Sequence, residues 1–308
     1  MMRLDDSHAG KRVTLLLDSA SAMDVAALVV DGLDLSPGEA IPSDGDPRID
    51  QALKGFLFTC GPDHIRHPEP TSKGGLYPLH GSLSGTPVQV DTLEATENTC
   101  HAIVDIALAD GGKARLSRRW SITQGAVHLQ DRVENTGVTP FPPLWMYHLN
   151  IAGRLFDGGT CVTGAMIPGG VMGWRFGESE SAHVLFPAYG DAAGPDPKSA
   201  PDAKPAGRAA AGAAIAADDW ARVRIGPFAA LANRSLDIRF RSDRLPFLQL
   251  WRCQRGDANV VSIEPVSHRI AKRPALAESG ALFMLKPGAA IAYELMFGIV
   301  DPEEADLT

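Results

Sequence analysis

Residues 113–122 read KARLSRRWSI, and residues 126–135 read AVHLQDRVEN. In the first, Ala114, Leu116, Trp120 and Ile122 fall on one side of an extended chain, with Lys113, Arg115, Ser117, Arg119 and Ser121 on the other. In the second, Val127, Leu129 and Val133 alternate with His128, Gln130, Arg132 and Glu134. SLDIRFRSD (235–243) repeats the pattern, with Leu236, Ile238 and Phe240 against Asp237, Arg239 and Arg241. A period of two marks antiparallel strands with one buried face.

Working outward, further strands are expected at 12–18, 24–33, 54–60, 88–94, 101–109, 143–151, 221–225, 246–253, 259–265, 281–285 and 290–300. Turn clusters such as 110–112, 135–137 and 286–288 separate them. No run of long amphipathic helices interrupts the series. The expectation is all-β: a large antiparallel β-sandwich with few short helices, in one domain over residues 1–308. The stretch 190–219 is rich in Ala, Pro, Gly and Asp and nearly devoid of large apolar side chains. It reads as a long loop outside the core, with a short helix expected in the alanine run 209–217.

Of the 308 residues, 44% are hydrophobic and 21% charged, which suffices for a sizeable core. The net charge of −8 lacks the basic footprint of a nucleic-acid binder, and no polybasic stretch suits anionic lipid. No apolar run is long enough to span a membrane, and the first twelve residues carry acids where a signal peptide would be apolar. A cytoplasmic protein is expected. Cys60, Cys100, Cys161 and Cys253 are far apart and read as reduced, mostly buried thiols.

Three stretches could carry chemistry. TSKGGLYPLHGSLSGTP (71–87) is a glycine-rich loop centred on His80. In PPLWMYHLNIAG (142–153), period two puts Trp145, Tyr147 and Leu149 on one face and Met146, His148 and Asn150 on the other. LPFLQLWRCQRGDANVVSIEPVSHR (245–269) looks like two strands, with Glu264 near the end of the second, on the side of Ser262 and Val260. Each residue also has an ordinary reading: a strand histidine held by a hydrogen bond, a solvated glutamate before a proline, an arginine at 252 pairing a carboxylate.

Taken together, the motifs FTCGPDH (58–64), LHGSLSGTP (79–87), LWMYHLNIAG (144–153), LPFLQLWR (245–252), VVSIEPVSHR (260–269) and LKPGAAIAYELMFGI (285–299) resemble the galactose mutarotase-like superfamily. More closely, they resemble its aldose 1-epimerase-like DUF4432 type. The resemblance covers roughly residues 50–300. It implies a β-supersandwich with a carbohydrate cleft, and a sugar mutarotase or related isomerase needing no metal or other cofactor. It also implies roles: Glu264 as base at the anomeric hydroxyl, His148 as acid at the ring oxygen, and His80 binding and polarising the sugar. Arg252, Asn150, Trp251 and Asp63 are expected as substrate contacts, with no nucleic acid or membrane as partner. Glu264 ionised beside a protonated His148 would give a bell-shaped rate profile near neutrality. Where relatives commonly carry Arg after the His-Gly of the loop, this chain has Ser82. Which sugar fits, whether it is anionic, and the oligomeric state do not follow.

Two rivals remain. A metal-dependent isomerase would use His64, His67 and Glu69, or His80, His148 and Glu264 meeting in space. A non-catalytic sugar-binding protein would keep Trp251, Tyr147 or Trp145 as platforms.

Overall fold

The protein is described here from a computed structural model covering residues 1–89, 92–188 and 220–302. Its strands form two large antiparallel sheets. The first runs Met2–His8, Lys11–Asp18, Asp24–Val30, Leu57–Cys60, Met146–Ala152, Val260–Val266, Phe247–Cys253 and Ser181–Pro187 from edge to edge. The second runs Val171–Gly173, Cys161–Thr163, Trp220–Phe228, Arg234–Arg241, Ala290–Val300, Ala126–Asn135, Lys113–Thr123, Thr99–Ala107 and Glu94–Ala95. The two described α-helices, Asp50–Leu53 and Arg273–Glu278, are short.

The alternating apolar residues explain the architecture. Leu116, Trp120, Ile122, Val127 and Leu129 of the second sheet share one continuous cluster with Leu15, Leu17, Tyr147, Leu149, Leu250 and Ile263 of the first. Burying both apolar faces against each other removes them from water at roughly 25 cal/mol per Å². A second apolar cluster lies on the other face of the first sheet. There Ile41, Ile49, Leu53, Ile65 and Leu79 cover Phe58, Cys60, Met146, Val260 and Val266. The central strands Met146–Ala152 and Val260–Val266 are therefore buried on both faces along their whole length.

Three charged side chains, Arg118, Asp131 and Asp24, meet between the sheets. Arg118 donates to both carboxylate oxygens of Asp131 at 2.8 Å, to Asp24 at 2.8 Å, to Thr59 at 2.9 Å and to the Ala22 carbonyl at 3.0 Å. The Tyr147 hydroxyl donates to Asp131 at 2.8 Å, and Thr59 donates to Asp24 at 2.6 Å. The network ties one sheet to the other with its donors matched to acceptors.

Several elements differ from expectation. Met2–His8 is a strand, paired over its full length with Lys11–Asp18, although its acids hide any alternation. Ser181–Pro187 likewise forms the opposite edge, where one row of backbone hydrogen bonds and partial burial suffice. At 281–285 only a bridge between Phe141 and Leu285 forms. Of the described residues in 88–94, Glu94 alone enters a strand, while Val88 donates to the Ser19 carbonyl at 2.9 Å. The stretch 190–219, with its expected helix, lies outside the described residues.

Candidate active site

Register assembles the site. His148 stands opposite Phe58, and Gln249 opposite Glu264. The pairs Met146–Val266 and Asn150–Ser262 bracket His148 and place it across from Glu264. Phe58, His148, Glu264 and Gln249 thus form one row across four strands, on the face turned away from the second sheet. The next row holds Asn150, Ser262, Trp251 and His183.

Within the first row, His148 Nε2 lies 3.2 Å from Glu264 Oε1. His148 Nδ1 lies 2.6 Å from Asn150 Oδ1. The Asn150 amide donates to the carbonyls of Leu53 and Gly55 at 3.0 and 3.2 Å, so its oxygen is the acceptor. The Ser262 hydroxyl donates to that oxygen as well, at 2.7 Å. His148 therefore carries its proton on Nδ1 and turns Nε2 toward Glu264. Gln249 donates its amide to Glu264 Oε2.

Glu264 is fully buried and His148 nearly so. Burial pushes the Glu264 carboxyl well above the usual carboxylate range, and only the Gln249 hydrogen bond opposes it. Burial, reinforced by the charge of His80, pulls His148 down to about 3. Burial thus works against the charged form of both partners of the expected ion pair. At 3.2 Å their mutual attraction opposes that desolvation cost. Glu264 Oε1 is buried and has no hydrogen-bond partner.

His80 adopts a left-handed backbone, φ +59°. Its amide donates to the Arg66 carbonyl and its carbonyl accepts from Gly61, both at 2.9 Å. Gly81 follows at φ +90°, and a Cβ there would sit 2.2 Å from the His64 carbonyl oxygen. Glycine at 81 is thus a backbone requirement, which the glycine-rich sequence foreshadows. The His80 ring lies 6.0 Å from that of His148 and 5.5 Å from that of Phe58. Its Nε2 lies 3.3 Å from Asp44 Oδ2. The hydrogen bond from His80 holds the Asp44 carboxyl below its ordinary range against partial burial. Asp44 and Gln249 are functional candidates that the sequence reading missed. Asp44 sits in the turn-like SDGD (43–46), and Gln249 shares the Glu264 face of its strand by period two.

The remaining expected contacts separate. Trp251 lies beside the row, its ring 5.9 Å from His148 and stacked on His183 at 6.3 Å. Asn150 is a positioning group rather than a ligand contact, being fully buried and hydrogen-bonded to protein. Asp63 is buried and accepts from the Ser82 amide at 3.0 Å, the Ser82 hydroxyl at 2.7 Å and the Ala109 amide at 2.9 Å. It anchors the His80 loop instead of meeting a sugar. Arg252 shares the core-facing side of its strand with Leu248 and Leu250, and donates to the Phe176 carbonyl, the Ser179 carbonyl and Gln254. It lies on the opposite face of the sheet from the His148–Glu264 row. Trp145 and Tyr147 lie in the core behind the sheet and cannot serve as platforms. His64 is bonded to the His67 carbonyl at 2.7 Å, and Glu69 accepts from the Arg273 amide at 3.0 Å. Among the described residues no group of three or more His, Cys, Asp or Glu is arranged to hold a metal ion.

A family model for a domain of unknown function, DUF4432, matches residues 12–299. The chain belongs to the DUF4432 family. No curated protein matches its sequence. Solved structures similar to this DUF4432 chain include a Klebsiella pneumoniae protein assigned as an aldose 1-epimerase, at TM-score 0.66 and 13% identity over 94% of this chain and 76% of the other. An Escherichia coli K12 protein with the same assignment aligns at TM-score 0.61 and 13% identity, over 97% of this chain and 99% of the other. A galactose mutarotase related enzyme from Lactobacillus acidophilus aligns at 0.64 and 12%, over 97% and 98%. At such identity the likeness establishes the galactose mutarotase-like sandwich fold of this DUF4432 protein. Among the described residues no helix is long and apolar enough to cross a membrane.

Proposed function

We propose that this DUF4432 protein is a cofactor-independent sugar mutarotase, an aldose 1-epimerase-like isomerase working on a small sugar above the His148–Glu264 row. The observation that carries the reading is the 3.2 Å approach of His148 Nε2 to Glu264 Oε1, with Asn150 fixing the tautomer. Opening a pyranose removes a proton from O1 and delivers one to O5; closing on the other face of the aldehyde reverses both. A carboxyl and an imidazole that share one proton supply both halves without changing their total. The working form, carboxylate beside imidazolium, differs from the neutral pair by one proton moved across that gap. A polar sugar packed over the pair favours the charged form. Trp251 offers an aromatic face to the ring, and the fold shared with the aldose epimerase-like proteins supports a sugar ligand.

One observation favours a second reading, sugar binding without turnover. Glu264 is fully buried, with Gln249 on one oxygen and His148 beside the other. Anomer exchange measured by NMR over a panel of neutral and acidic sugars separates the two. The mutarotase reading expects faster exchange for at least one sugar, slowed about a hundredfold or more in Glu264→Gln. Line broadening without exchange for every sugar would give the site to binding alone.

A further inference from the structure

We propose that Asp44 is a positioning residue for His80: it holds the imidazole proton on Nε2 and leaves Nδ1 as a fixed acceptor for a sugar hydroxyl. The proposal rests on the sugar-site reading above and deepens it. Three attachments of His80 are already fixed. Its amide is held by the Arg66 carbonyl, its carbonyl by the Gly61 amide, and Nε2 by Asp44 Oδ2 at 3.3 Å. The fourth polar atom, Nδ1, is buried and has no hydrogen-bond partner. An ionised carboxylate can only accept, so the proton between Asp44 and His80 sits on Nε2, and in the neutral ring the lone pair is then on Nδ1.

The result is two carboxyl–imidazole pairs built in opposite senses, their rings edge-on with centroids 6.0 Å apart. His148 turns Nε2 to Glu264, whose carboxyl burial pushes upward, and is held through Nδ1 by Asn150. His80 turns Nε2 to an ionised Asp44 and keeps Nδ1 open. A ligand group at His80 therefore meets an acceptor backed by a negative charge. That suits a hydroxyl and disfavours a carboxylate, sulfonate or phosphate at this position. The Ser82 hydroxyl that follows the loop's His-Gly is already bonded to Asp63 and adds no positive charge.

The test uses the full chain with 15N-labelled histidine and two-bond 1H–15N spectra at pH 8, with His80 assigned through His80→Asn. Asparagine tolerates the left-handed backbone. We expect His80 in the wild type to show a protonated Nε2 and a bare Nδ1. In Asp44→Ala its two nitrogen resonances should lose their separation, while Asp44→Asn, which keeps an acceptor oxygen, should largely restore it. The His148 pattern should stay unchanged in both. A wild-type His80 protonated on Nδ1, or one indifferent to Asp44→Ala, overturns the proposal. On any sugar the wild type equilibrates, Asp44→Ala should lower kcat/KM about tenfold. If the tautomer signature is present and no sugar exchanges, Asp44 keeps its role and the mutarotase reading falls. If sugars exchange and the signature is absent, the Asp44 proposal falls alone.

Discussion

Arg118 and Glu264 are both fully buried acid–base groups, and the same strands serve both. Thr59 and Tyr147 face inward to the Arg118 network, while their neighbours Phe58 and His148 face outward to the Glu264 row. The two clusters are satisfied differently. Every carboxylate around Arg118 is met by donors from two sheets. Around Glu264, one carboxyl oxygen and His80 Nδ1 have no hydrogen-bond partner. A buried ionic group with all its partners holds sheets together; one with open valences is poised for a ligand. The Arg118 network also forms the rigid back wall that keeps His148 in place.

The largest effect expected is on the closed cluster. Arg118→Met strands Asp24 and Asp131 without their cation and should cost about 3–5 kcal/mol in urea unfolding. A loss below about 1 kcal/mol would mean that the network is ordinary packing and would break the contrast. Glu264→Gln should behave in the opposite way. It abolishes the proton transfer, yet raises the melting temperature at pH 7–8, because it removes a carboxyl whose burial opposes ionisation. Destabilisation of the Arg118→Met kind would make Glu264 a structural residue.

The pH dependence sharpens the same contrast. His148 and His268 are lowered from 6.5 to about 3 and about 4 by burial. Their contribution is fully present above 6.5 and is lost as pH falls toward those folded values. Melting temperature should therefore fall steadily below about pH 6.5, each group adding at most about 1.4 kcal/mol per pH unit. Glu264 is raised, so its contribution is present at low pH and lost as pH rises through its folded value. Glu264→Gln should therefore lift the melting profile progressively above about pH 4.5, where the unfolded carboxyl ionises, and leave it unchanged below. Catalysis should follow a broad plateau, since the pair keeps one proton between the His148 and Glu264 transitions. A sharp bell centred near neutrality would restore the ion-pair picture.

Asp63→Asn exchanges one acceptor oxygen for a donor and loosens the Ser82 contacts. It should cost about 1–2 kcal/mol and raise KM more than it lowers kcat. Arg252→Lys should cost about 1 kcal/mol through lost carbonyl contacts, with sugar affinity unchanged. A large affinity loss there would return Arg252 to the cleft.

Period two made the two-sheet architecture legible, and the outward side of PPLWMYHLNIAG already placed His148 with Asn150. Arg118 and Asp131 escaped notice because a charge at a core-phase position looks like a gap in the pattern. Their meaning appears only when both gaps are seen to align across paired strands. Arg252 was misplaced although its spacing from Leu248 and Leu250 points it inward. Asp44 needed the folded loop, since nothing local in SDGD specifies a partner 36 residues away. The Met2–His8 edge strand has one fully buried apolar residue, Leu4, too little to reveal a period.

The row across the sheet has a consequence for how the protein comes to life. Phe58, His148, Gln249 and Glu264 come from four strands spread over most of the chain, and no contiguous fragment short of 58–264 contains them. Such distant pairings close large loops and form slowly. During refolding, recovery of chemistry should trail recovery of β-sheet signal, making turnover a clock for the last strand to dock.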